Sequence, residues 1–153
     1  MSIAYISFQQ PINERLDALR RVVTRLAEAK SSAHWPDDEQ WLPYFDSECM
    51  KHFWHPTKQE KAAWFDRWTN ASYPEKLADP SLQIPWDFSS LLEAIKNSEY
   101  QILGIKTNAD ATYDLQFEPY AHPFGGTDAL SALIEAFDCI LIGTDDGSGY
   151  TEK

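Results

Sequence analysis

At 153 residues and 17.6 kDa, the chain has the length of one domain, and two full domains would be crowded. Apolar residues make up 43% and aromatics 14%, enough large apolar surface to form a core and to exclude a chain disordered throughout. The formal charge of −11 repels phosphate backbones and anionic lipid headgroups, which argues against nucleic-acid and membrane-surface roles.

Residues 3–8 are β-prone and read as a short first strand or an extended arm. Pro11 and Asn13 then announce a helix over residues 12–30, where Leu16, Leu19, Val23 and Leu26 recur at steps of three and four and form one apolar stripe. Residues 31–56 are broken by Pro36, Pro43 and Pro56 yet hold Trp35, Trp41, Tyr44, Phe45, Phe53 and Trp54. A segment this aromatic is expected to pack down, with a short helix over 37–52. Thr57 and Glu60 form a capping-box signature for a helix over 57–70. Tyr73 to Pro85, with three prolines, reads as a connector.

The second half has a clearer pattern. Ser90 and Glu93 form another capping-box signature, for a helix over 89–97 that buries Leu91, Leu92 and Ile95. Residues 100–107 and 112–118 read as a hairpin turning at Asn108-Ala109-Asp110, with Tyr113, Leu115 and Phe117 on one face. Thr127 is placed to cap a helix whose Leu130, Leu133, Ile134 and Phe137 fit the helical template. Residues 139–143 read as a short central strand, and Asp145 to Gly149 as a turn-rich tail.

The expected fold class is α+β. A small, mainly antiparallel sheet (hairpin 100–118, strand 139–143 and a possible strand 3–8) packs in two layers against helices, with a helical N-terminal half. The order approaches a split β-α-β-β-α-β arrangement. Residues 1–153 read as a single domain made of a helical segment, 12–70, and an α-β-β-α-β segment, 89–144. No apolar run approaches the roughly 18 residues of a membrane span, and no leader pattern is visible at the N-terminus. Two cysteines, Cys49 and Cys139, do not make a disulfide framework, so a reduced, cytoplasmic setting is expected.

The charge is unevenly spread. Residues 1–76 carry ten basic and eleven acidic side chains, whereas residues 77–153 carry three basic and thirteen acidic. Such asymmetry attracts a basic protein and speeds its encounter. Asp110, Asp114, Glu118, Asp145 and Asp146 are the acidic candidates for that contact, with Tyr150 as an aromatic anchor.

Other constellations are incomplete. Cys49, His52 and His55, with His34 upstream, have ligand chemistry but lack a fourth partner, so no metal site is assigned. Gly125-Gly126-Thr127 leads into a helix, but Asp128 already complements the helix dipole and opposes an anion. Asp145 and Asp146 lack the further ligands of a calcium loop. There is no Gly-x-Ser-x-Gly elbow, and His122 has no identifiable partner, so no catalytic residue is assigned. No cofactor is called for.

From Phe117 to Thr127, through Leu133-Ile134-Glu135-Ala136-Phe137 to Asp145–Tyr150, the chain resembles a group of small bacterial proteins. Some of these belong to the immunity proteins paired with toxins of contact-dependent or type VI secretion systems. The resemblance covers about residues 88–150 and carries no catalytic signature. Together with the small size, the charge of −11, the aromatic richness and the absence of a catalytic constellation, it leads to the expectation of a cytoplasmic, non-enzymatic inhibitor that neutralises a basic partner such as a toxin domain, with the chain a monomer or a homodimer. The alternative expectation is a small-molecule-binding protein or enzyme with a pocket under the aromatic segment 35–68.

Overall fold

The computed structural model describes residues 3–32, 34–83, 86–121 and 124–153. The first strand, β1 (Ala4–Gln9), alternates strictly: Ala4, Ile6 and Phe8 are fully buried, and Tyr5 and Ser7 point to the opposite face. Helix α1 (Asn13–Ser31) buries Leu16, Leu19, Val22, Val23, Leu26 and Ala29 along one stripe. Its N-cap, Ile12, has no side chain able to cap. Just ahead of it, Gln10 accepts from the Ile12 N–H at 2.9 Å and donates to the Phe137 carbonyl at 2.6 Å, which fixes the entry into the helix. Near the other end of α1, the Lys30 ammonium donates to the carbonyls of Ile95 (2.8 Å) and Ser98 (3.1 Å). Burial lowers its pKa.

The helix expected over 37–52 is instead three separate turns. These are α2 (Asp38–Trp41), a 3-10 turn (Leu42–Tyr44) and α3 (Ser47–Met50). Asp37 and Asp46 each restart the pattern by capping the next turn, and Pro43 lacks the N–H that a continuous helix requires. The aromatic side chains do pack down. Phe45 meets Phe53, Phe88 and Phe137 with centroids 6.0, 5.1 and 5.9 Å away. Trp41 is fully buried, and its indole N–H donates to the Pro36 carbonyl at 3.1 Å.

Helix α4 (Lys58–Asn70) is capped by Thr57 as expected. The connector after it is more regular than its prolines suggest: α5 (Tyr73–Ala78) and a 3-10 turn (Pro80–Leu82) occupy it, with Ser72 and Asp79 as caps. Pro74 and Pro80 sit at the start of their turns, where no N–H is needed, and Pro85 lies outside the described residues. The main chain of Trp54 bonds to Trp86 and Phe88 (2.8 and 3.0 Å), so the ends of this excursion are tied together.

Helix α6 (Phe88–Asn97) begins one residue earlier than expected and is capped by Asp87 rather than Ser90. Strands β2 (Tyr100–Thr107) and β3 (Tyr113–Pro119) form the expected hairpin. Helix α7 (Asp128–Ala136) has Thr127 as its N-cap residue as expected, but the Thr127 side chain makes no capping hydrogen bond. Strand β4 (Ile140–Asp145) leads through the turn expected at Asp145–Gly149 into β5 (Tyr150–Glu152), a strand that the sequence did not suggest.

The sheet order is β2-β3-β1-β4-β5, with every pairing antiparallel. The strand from residues 4–9, which the sequence offered only as a possible addition, is therefore the middle of the sheet. β4 lies beside it rather than at the centre. The first four positions are those of a split β-α-β-β-α-β unit, and β5 extends one edge. α1 packs on β2, α7 packs on β4, and α6 packs on α7. One continuous core joins them to Ala4, Ile6, Phe8, Leu115 and Phe117. Class and layering are thus α+β, two layers. Among the described residues, no helix is long and apolar enough to cross a membrane.

Candidate partner-binding face

Burying one face of the sheet leaves the alternate residues of every strand on the other. On β1 these are Tyr5 and Ser7. On β3 they are Asp114, Gln116 and Glu118, the neighbours of buried Leu115 and Phe117. Register then sets the rows. Ser7 lies opposite Asp114 on one side and Gly143 on the other; Tyr5 lies between Gln116 and Asp145; Asp145 faces Tyr150 on β5.

The side chains follow this register. The Ser7 hydroxyl donates to Asp114 Oδ1 at 2.6 Å. The rings of Tyr5 and Tyr150 stack with centroids 6.3 Å apart and planes inclined by 23°. Tyr150 can cross the sheet because Gly143 lies beneath it; a Cβ added there would collide with the phenol ring. Tyr5, Ser7, Asp114, Ile142 and Tyr150, with the hairpin turn at Asn108–Asp110 and Thr112, line a shallow depression of about 450 Å3.

Negative charge acts on this face. The Tyr5 phenol is held above its ordinary pKa, first by desolvation and then by the Asp145 and Asp114 carboxylates and by Tyr150. Lys106, opposite Asp114 on β2, is a cation in the same row. The Asp110 carboxyl is held below the usual range because the Thr112 hydroxyl and N–H both donate to it.

Asp114, Asp145 and Tyr150 therefore gather around Tyr5. Asp110 borders the same depression from the hairpin turn. Glu118 shares the face but lies four residues along β3 from Asp114. Asp145 and Asp146 shape the β4–β5 turn, accepting from the N–H groups of Gly147 (2.9 Å) and Ser148 (3.0 Å). The sequence reading missed Tyr5 and Ser7. Alternation in residues 4–9 signals which face they take, but not that Asp114 and Tyr150 are their neighbours.

The histidine and cysteine candidates are dispersed. Cys49 lies under Arg15, whose guanidinium donates to its sulfur at 3.3 Å, pairs with Asp46 and lies 3.4 Å from Asp138. His52 Nε2 is 3.5 Å from Asp138. His55 meets the Phe88 ring at 5.4 Å. His34 is exposed, and its main chain bonds to the Ser32 hydroxyl. His122 lies outside the described residues.

Burial pushes both thiols, Cys49 and Cys139, up to about 11, so neither supplies a thiolate near neutral pH. Among the described residues, no three His, Cys, Asp or Glu side chains are grouped to hold a metal ion. Trp41, Phe45 and Phe53 of the aromatic segment belong to the core. The depression beside that segment, of about 670 Å3, is an open groove between Trp35–Glu39 and α6. Gly125 and Gly126 both take positive φ (100° and 80°), which accounts for glycine ahead of α7. Comparison of the chain with family models, with curated proteins and with solved structures found no match.

Proposed function

We propose that the protein binds and neutralises a basic partner protein in the cytoplasm, in the manner of the immunity proteins that protect bacteria from secreted toxins. The observation that carries this reading is the open sheet face. It joins two stacked tyrosines to Asp114 and Asp145, with Glu118 and Asp110 at its margins. Large amphipathic rings supply contact area at low entropic cost, and carboxylates around them steer and orient a cationic surface. Acidic side chains presented on a rigid sheet can occupy a cleft that a basic enzyme uses for an anionic substrate. The helices of the opposite layer hold the face in place, so partner binding needs little ordering of the backbone.

The test begins with capture from the source cells at low and high salt, with bound proteins identified by mass spectrometry. The expected result is one basic protein in stoichiometric complex, with an association rate that falls as salt rises. The variant D114N/D145N is expected to slow association and weaken the complex by about tenfold or more. A partner that binds this variant as tightly as the parent, or at a salt-independent rate, overturns the reading.

A further inference from the structure

The acidic chain has a local counterweight. Helix α1 presents Arg20, Arg21 and Arg25 on neighbouring turns. With Thr24, Glu28 and Tyr44 they line an open groove of about 410 Å3. Arg21 and Tyr44 also border an adjoining depression of about 360 Å3, walled by Gln40 and Pro43. Three guanidinium groups against one carboxylate make this lining positive in a chain of net charge −11.

Two of the three arginines are already fixed by the fold. Arg20 donates to the Ile105 carbonyl and to Thr107 Oγ1, each at 2.9 Å, with its guanidinium 5.9 Å from the centre of the Tyr113 ring. Arg25 lies 5.9 Å from the centre of the buried Trp41 ring and 3.7 Å from Glu28. These contacts use only part of each donor fork. A side chain already held in place gives up little rotamer freedom on taking a ligand. Arg21 is exposed between them, and the Tyr44 ring packs against Trp41 at 5.9 Å, giving the groove a firm aromatic wall. Planar guanidinium groups match the paired oxygens of phosphate and carboxylate.

We propose that this groove binds a small oxyanion ligand, bearing phosphate or carboxylate groups, through Arg21 and Arg25 against the wall formed by Tyr44. The site is separate from the sheet face, and the inference does not depend on the partner-binding reading.

The experiment is a titration of the full-length, isotope-labelled chain, followed by NMR, with pyrophosphate in one arm and citrate in the other, at ionic strength held constant with chloride. Saturable shifts are expected at residues 20–28, at residues 40–44 and at the Trp41 indole. A response to pyrophosphate alone identifies a phosphate ligand, and one to citrate alone a carboxylate. The exposed Arg21→Ala variant is expected to keep the parent's denaturation midpoint while binding about tenfold more weakly, the loss of one charge-assisted contact. Arg25→Lys, which keeps the charge but loses the fork, should weaken binding less. Four outcomes would overturn the proposal: shifts that never saturate, shifts that chloride reproduces, unchanged affinity in Arg21→Ala, or sedimentation showing the groove covered by a second copy of the chain.

Discussion

The sheet layer and the excursion from residue 57 to residue 83 are built by opposite means. In the first, side chains vanish from solvent: Phe8, Phe88, Phe117 and Phe137 are fully buried, as are Leu19, Leu26, Leu91 and Leu130. In the second, neither α4 nor α5 contains a buried residue, while Phe65, Tyr73 and Leu77 are 48%, 75% and 67% exposed. Leu82 is its one buried side chain among the described residues, and the rest of what holds the excursion is local. Thr57, Ser72 and Asp79 cap its turns. Trp64 stacks on Trp68 at 5.3 Å and meets Trp54 at 5.5 Å, and the Lys76 ammonium lies 5.1 Å from the centre of the Trp68 ring. Helices of this length draw most of their stability from tertiary packing. The excursion is therefore expected to open while the sheet layer stays folded.

The contrast is sharpest in truncation of aromatic side chains. Phe117→Ala is expected to cost about 3–5 kcal/mol by leaving a cavity in the core, whereas Phe65→Ala should stay within about 0.5 kcal/mol. Urea denaturation of the two variants checks this, and equal losses would erase the distinction between the two regions.

A smaller effect is expected at the edge of the sheet. Gly143→Ala forces the Tyr150 ring off its seat and should cost about 1–3 kcal/mol. Adding Tyr150→Ala should recover much of that loss. A double-mutant cycle without coupling would show that the ring does not rest on Gly143.

Capping gives a matched pair at about 1 kcal/mol each. Asp87→Ala removes the cap of α6, which packs in the core, and should lower the global denaturation midpoint. Thr57→Ala removes the cap of α4 and should speed amide exchange in residues 58–70 while leaving that midpoint in place.

The smallest effect is in the acid limb of stability. The Asp46 carboxyl is held below the ordinary range, chiefly by the Cys49 N–H and also by Arg15, against partial desolvation. A carboxyl whose folded pKa is depressed contributes stability above its unfolded pKa and loses it as pH falls through the folded value. Asp46→Asn should therefore flatten the acid side of the pH profile. Asp79, depressed by the Ser81 hydroxyl and N–H, belongs to the excursion, and Asp79→Asn should leave the global profile unchanged.

Periodicity made much of this molecule legible before any coordinates. The stripe of Leu16, Leu19, Val23 and Leu26, the template of Leu130, Leu133, Ile134 and Phe137, and the alternation through Leu115 and Phe117 each report which side of an element turns inward, because burial repeats with the element's own geometry. The acidity of residues 77–153 was equally plain. Signals that depend on a neighbour distant in sequence were not. Gln10, ahead of α1, is held by the Phe137 carbonyl from the far end of the chain. The Ser7 hydroxyl meets Asp114, 107 residues along the chain.

Residues 3–8 read as an optional strand because their length and composition say nothing of their neighbours. Pairing with β3 on one side and β4 on the other makes them the centre. The candidate face divides in the same way. Asp110, Asp114, Glu118, Asp145, Asp146 and Tyr150 could be named from charge and residue type. That Asp114, Asp145 and Tyr150 gather around Tyr5 and Ser7 depends on register between strands more than a hundred residues apart. Sequence determined the local elements, their buried sides and the sign of the field, because these follow from short-range sterics, hydrophobic period and formal charge. Tertiary structure alone decided strand order and which side chains meet, because non-local pairing is selected by the fit of the whole core.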